Sequence, residues 1–187
     1  MITAYFDADG IFDAATDHRF SPPPAEQTGW DDWHPITVPG AFPGYWSREL
    51  VDAVNRIASL PGVTCKWLTS WEEQAPLQLA PAIGLNAAGW EVIYGVEEDD
   101  PMNWHWWKLA KIHEDLEKDR PEGFIWLDDD ITSDPAARHW LRTIDRPHLA
   151  ICPKTTDGLT KTHLYDIEAF IGKQVWACSS VGRASDF

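Results

Sequence analysis

Short apolar runs of β-branched and aromatic residues recur along the chain at Ile2 to Phe6, Val63 to Leu68, Trp90 to Val96, Phe124 to Leu127 and His148 to Cys152. Their length and composition predict strands. Between them the apolar positions repeat at helical spacing. Ser47 can cap a helix carrying Leu50, Val54 and Ile57 on one face, and Leu109, Ile112 and Leu116 repeat that spacing downstream. Strand and helix therefore alternate. This order predicts an α/β sandwich of three layers, with a central, mainly parallel sheet, helices on both faces and right-handed crossovers. Sheets of this kind bind ligands at the carboxyl ends of their strands, so those ends are where chemistry is sought.

Two segments break the pattern. Residues Ile11 to Trp46 are rich in Pro, Gly, Asp and Trp and contain Pro22-Pro23-Pro24 and Pro39-Gly40. They predict an extended loop or hairpin over the site, able to act as a lid. Residues Glu72 to Gly84 carry a helical pattern interrupted by Pro76 and Pro81, so a broken or kinked helix is expected there. No internal repeat is evident. The organisation expected is one domain over residues 1–176, with an insertion at about 11–46 and a disordered tail over 177–187.

Composition narrows this only in places. With 187 residues, 44% of them hydrophobic and 24% charged, the chain is long enough for one sizeable core and unlike a disordered sequence. Twelve tryptophans are unusual. Those beside apolar strand residues, Trp67 and Trp126, are expected in the core, while Trp104, Trp106 and Trp107 cluster before a helix. The formal charge of −15 argues against a tight, sequence-independent grip on nucleic acid, which depends on Lys and Arg neutralising phosphates. The run Glu97-Glu98-Asp99-Asp100 reads as solvated loop. Cys65, Cys152 and Cys178 form an odd, scattered set that implies reduced thiols and no disulfide framework. There is neither a basic leader followed by a long apolar stretch nor an apolar run able to span a bilayer, so a cytoplasmic location is expected.

Four motifs carry candidate chemistry. Phe6-Asp7-Ala8-Asp9-Gly10 ends the first apolar run with two carboxylates one residue apart. In an extended chain these would point to opposite sides, but a turn begun by Gly10 can bring both towards one pocket. A solvated turn accounts for the same residues. Lys66-Trp67-Leu68-Thr69-Ser70-Trp71 ends an apolar run in hydroxyls where a helix should begin, which helix capping also explains. In Trp106-Trp107-Lys108-Leu109 a lysine stands at a helix start, where the dipole disfavours a cation. Phe124-Ile125-Trp126-Leu127-Asp128-Asp129-Asp130 is another apolar run ending in acid. Three adjacent carboxylates repel one another unless a cation lies between them, and hard oxygen ligands suit magnesium. The seven histidines show no metal-ligand spacing and are read as surface or packing residues.

In this order the four motifs resemble those of the haloacid-dehalogenase (HAD) superfamily of hydrolases. The longer stretches Trp67 to Glu73, Trp107-Lys108-Leu109, Trp126 to Asp130 and Gly158-Leu159-Thr160-Lys161-Thr162-His163-Leu164 resemble the HAD domains associated with Swiss-Army-knife RNA repair proteins. The likeness covers nearly all of Ile2 to Gly172, except the stretch from Gly10 to Trp46. It implies a Rossmann-like HAD fold with a minimal cap or none, and a phosphatase acting on a phosphomonoester. By the same resemblance, Asp7 is the nucleophile and becomes an aspartyl-phosphate, and Asp9 is its acid/base partner. Thr69 and Lys108 hold the transferring phosphoryl group. Asp128 and Asp129 hold Mg2+ together with a carboxylate oxygen of Asp7 and the backbone carbonyl of Asp9; Asp130 is left unassigned. Lys111 and Lys154 are rivals to Lys108, and Ser70 to Thr69.

The substrate expected is a phosphorylated small molecule, a nucleotide or a nucleic-acid end, with no membrane partner and no stable nucleic-acid complex. A HAD-fold binding module without activity and a metal-dependent nuclease remain as alternatives on the same residues. The tail Ser179 to Phe187 resembles the peptide encoded when a reading frame runs into a lysine tRNA gene, an arrangement found in phages and integrated elements.

Overall fold

The computed structural model describes residues 1–15, 21–39, 41, 43–95 and 106–181. Strand β1 (Ile2–Phe6) is buried at every position because it lies at the centre of a five-stranded sheet. The sheet order is β6-β5-β1-β7-β8, where β5 is Val63–Trp67, β6 Glu91–Val92, β7 Gly123–Leu127 and β8 His148–Ile151. All four pairings are parallel. Phe6 is in register with Trp67 on one side and Leu127 on the other, so the residues that follow these three strands emerge at one rim.

The predicted alternation holds, and the helices lie on both faces. Helix α2 (Arg48–Ala58) starts at Ser47, whose Oγ accepts the amide hydrogen of Leu50 at 3.1 Å, and it buries Leu50, Val51, Val54 and Ile57. Its layer includes the short helix α3 (Ala80–Ile83) and the long helix α6 (Lys161–Val181), whose Leu164, Ile167 and Ile171 join the same core. The opposite layer is α4 (Trp107–Asp119), with Leu109, Ile112 and Leu116 inward, beside α5 (Pro135–Thr143). Each such aliphatic side chain removed from water stabilises the fold by about 1.5–3 kcal/mol. Trp67 and Trp126 are fully buried, as expected.

Residues 11–46 form more than a loop. Strands β2 (Ala14–Ala15), β3 (Trp33–Pro35) and β4 (Gly44–Ser47) make a small antiparallel sheet in the order β2-β4-β3, with a single helical turn, α1 (Ala25–Thr28), between β2 and β3. The expected hairpin is the β3-β4 pair. The unit is fastened to the loop after β8: Trp30 Nε1 donates to the Leu159 carbonyl at 2.7 Å, Gln27 Nε2 to Asp157 Oδ1 at 2.6 Å, and the Leu159 amide to the Ile11 carbonyl at 3.1 Å.

The proline-interrupted segment is broken as expected. Ala75–Leu79 is a wide π-helical turn that passes into α3, which ends at Gly84 in the left-handed region. Proline lacks the amide hydrogen that an α-helical ladder needs, and widening the turn accommodates Pro76 and Pro81. Two expected boundaries shift. The run Trp90 to Val96 supplies only the two residues of β6, at the sheet edge, because Trp90 instead packs its ring against Phe6 and Trp67, with centroids 4.9 and 5.1 Å away. Val96 lies outside the described residues. Helix α6 continues to Val181, so the expected tail of 177–187 begins inside a helix; residues 182–187 lie outside the described ones.

Candidate active site

Three strand ends and one helix start meet at the rim of the sheet. The Asp7 amide donates to the Leu127 carbonyl at 3.0 Å and the Asp128 amide to that of Ile151 at 3.1 Å, so both aspartates continue the ladder before the chain turns. Lys108 is the second residue of α4, and that helix points its N-terminus at the same rim. Its Nζ donates to Asp7 Oδ2 at 2.6 Å and to Asp128 Oδ2 at 2.8 Å. The cation disfavoured at a helix start is thus held by two carboxylates. Burial alone would push the Lys108 ammonium down, but Asp7 and Asp128 outweigh it and hold its pKa above the ordinary lysine value.

Lys111 and Lys154 are paired elsewhere. Lys111 pairs with Glu114 at 2.8 Å along its own helix, and Lys154 is an exposed side chain whose ion-pair partner is Asp157, 4.0 Å away. Thr69 is fully buried and Ser70 exposed, which favours Thr69 as the inward hydroxyl.

Asp7, Asp128 and Asp129 each offer a carboxylate oxygen, and these oxygens lie within 4.8 Å of one another. Such an all-oxygen donor set fits a hard divalent cation. The pKa of Asp128 is raised by burial and by the charge of Asp7, against the pull of Lys108. That of Asp129 is raised chiefly by burial, against the Thr155 hydroxyl that donates to its Oδ2. Asp130 is exposed, and its amide donates to Asp128 Oδ1 at 2.9 Å. It supports the site through its backbone.

A second acidic group, Glu91, Asp115 and Asp119, surrounds the buried Lys66 ammonium at 2.8, 2.7 and 2.6 Å. The lysine fills that cluster, which reads as structural. No histidine belongs to either acidic group among the described residues. His113 packs its ring on Trp140 and His148 on Phe124, while His18 and His105 lie outside the described residues.

Asp9 is half-buried, and Trp71 Nε1 lies 3.0 Å from each of its carboxylate oxygens. Burial raises the Asp9 pKa, and the indole hydrogen bond opposes this. Trp71 was part of a motif in the sequence but had no role assigned. Two further residues had none. Asp13 is buried, and its Oδ1 accepts the Gly10 amide hydrogen at 2.8 Å, closing the turn that carries Asp7 and Asp9. Burial, then the charge of Asp9, push its carboxyl up to about 7. An acid set in the apolar stretch Ile11-Phe12-Asp13-Ala14 was the available signal. Thr155 gave none, since its partner Asp129 is reached only through the fold.

Of the comparisons with known proteins, one identified a family. No curated relative and no solved structure matched the chain. Residues 3–164 match the family described as the HAD domain in Swiss Army Knife RNA repair proteins, a span that holds all four motifs and the five-stranded sheet from its second residue on. The chain belongs to that family, and so to the HAD superfamily, whose activity is in general that of a hydrolase.

Proposed function

We propose that the protein is a magnesium-dependent phosphohydrolase that cleaves a phosphomonoester through an aspartyl-phosphate. The observation that carries this reading is the convergence of Asp7, Asp128 and Asp129 within 4.8 Å, with the Lys108 ammonium against two of them. Asp7, Asp128 and Asp129, with the Asp9 backbone carbonyl, would hold Mg2+, which would offset the negative charge gathered by three carboxylates and a phosphoryl group.

The chain's own residues account for the remaining steps. An Asp7 oxygen bonds to phosphorus as the ester oxygen departs, and Asp9 gives that oxygen a proton. Asp9 then takes a proton from the water that attacks phosphorus and frees Asp7. Lys108 and Thr69 hold the phosphoryl oxygens as charge shifts between them. No separate cap domain covers the rim among the described residues, and the small sheet of residues 11–46 is the nearest thing to one. A nucleotide, another phosphorylated small molecule or a nucleic-acid end could reach such a site, while the −15 charge opposes a stable nucleic-acid complex.

The test is a panel of phosphorylated compounds, including nucleotides and oligonucleotides with 3′ or 5′ phosphate, with and without Mg2+. Release of phosphate that needs Mg2+, abolished in Asp7→Asn and slowed about a hundredfold or more in Asp9→Asn, is expected. Full activity of Asp7→Asn, or turnover unchanged by a chelator, overturns the mechanism. Cutting of unphosphorylated RNA or DNA in place of phosphate release would identify a nuclease.

A further inference from the structure

We infer that Trp71 is a positioning residue that holds Asp9 in place for proton transfer, an inference that rests on the reading of Asp7 and Asp9 given above. The indole is well placed for it. Trp71 Nε1 stands 3.0 Å from both Asp9 oxygens, so one N–H is shared by the whole carboxylate. The ring is partly buried and packs against the main core, which fixes the donor's position. The Trp71 amide in turn donates to Thr69 Oγ1 at 3.3 Å. One short segment after β5 thus supplies both the hydroxyl assigned to the phosphoryl group and the donor that steadies the acid.

An indole nitrogen donates and cannot accept. It therefore holds both Asp9 oxygens from one fixed donor and does not compete with the carboxyl as a proton acceptor. The proton passes from Asp9 to the departing oxygen while the Asp7 oxygen bonds to phosphorus, and the carboxylate left behind keeps its indole hydrogen bond. Orienting the acid beforehand removes the cost of orienting it in the transition state. Trp71 needs no contact with the substrate to do this.

The experiment uses the full chain with Mg2+ and two probe esters. One is p-nitrophenyl phosphate, whose leaving group departs without a proton, and the other is an alkyl phosphate, whose leaving group needs one. Trp71→Phe keeps an aromatic ring and removes the donor, and Trp71→His restores a ring N–H. We expect Trp71→Phe to lower kcat/KM on the alkyl ester about tenfold, the worth of one charge-assisted hydrogen bond, with KM nearly unchanged and much less effect on kcat/KM for p-nitrophenyl phosphate. Trp71→His should recover part of the loss, and adding Trp71→Phe to Asp9→Asn should cost nothing more. Equal loss of kcat/KM on both esters, a ratio that excludes the later attack by water, or a further loss in the double variant, overturns the role of Trp71 and leaves the mechanism standing. Failure of the unaltered protein to hydrolyse either ester overturns the underlying reading, and this one with it.

Discussion

A Cβ placed on Gly10 would collide with Asp129 Oδ2, and Gly10 has φ of +66°, so the first turn and the acidic end of β7 fit together only where a side chain is absent. Gly10→Ala introduces both a clash and a strained left-handed backbone. The expected result is weaker Mg2+ binding and at least about tenfold less phosphatase activity, with secondary structure retained. Isothermal titration with Mg2+ alone checks the first part without an activity assay. Unchanged Mg2+ affinity in a folded variant would contradict it.

Lys108→Met leaves Asp7 and Asp128 facing each other with no ammonium between them. Removing one partner of a buried ion group costs about 3–5 kcal/mol. Urea unfolding at neutral pH should show a loss of this order, smaller when Mg2+ is present, because the cation then screens the same two oxygens. A variant as stable as the parent in chelator would rule out this account of the site.

The Asp13 carboxyl, pushed up to about 7 from 3.8, makes stability depend on pH. Its sign follows from linkage. Below about 4 both folded and unfolded states hold the proton, and between about 4 and 7 only the folded state does, so stability falls as pH rises through that window. The loss is at most about 4 kcal/mol. Asp13→Asn keeps an oxygen for the Gly10 amide and cannot ionise. It should reduce the slope of the pH dependence of unfolding between pH 4 and 7, to which Asp9, Asp128 and Asp129 also contribute, and be more stable than the parent at pH 8. An unchanged slope would show that Asp13 is not the group responsible.

Deleting Ser179 to Phe187 should leave folding and activity intact if that peptide was acquired from a tRNA gene. Thermal unfolding and turnover of the shortened chain test the first claim, and the nucleotide sequence that encodes and follows Ser179 to Phe187 tests the second. Absence of a complementary anticodon stem immediately downstream would end the tRNA reading.

What the sequence made legible was whatever depends on a local pattern. The strands ending at Phe6 and Leu127 stood out because a buried run stops abruptly at acid, and Lys108 because a lysine opens a helix. The partners of these groups were harder to read. Trp71 meets Asp9 across 62 residues and Thr155 meets Asp129 across 26, and no periodicity marks either pair. The small sheet of residues 11–46 was hidden by its proline and glycine content, since pairings of two and three residues leave no alternation to detect. Strand β6 was overestimated because Trp90 looks like a strand residue and serves as a packing residue.

The central place of β1 also bears on the order in which the chain is made. Residues 2–6 leave the ribosome before either neighbour, and both edges of β1 stay open until 63–67 and 123–127 have followed. Trp30 must wait longer still, for the carbonyl of Leu159. One edge of β1 can therefore close on β5 while the other waits for β7, and the half-built sheet is exposed to misassociation during that interval.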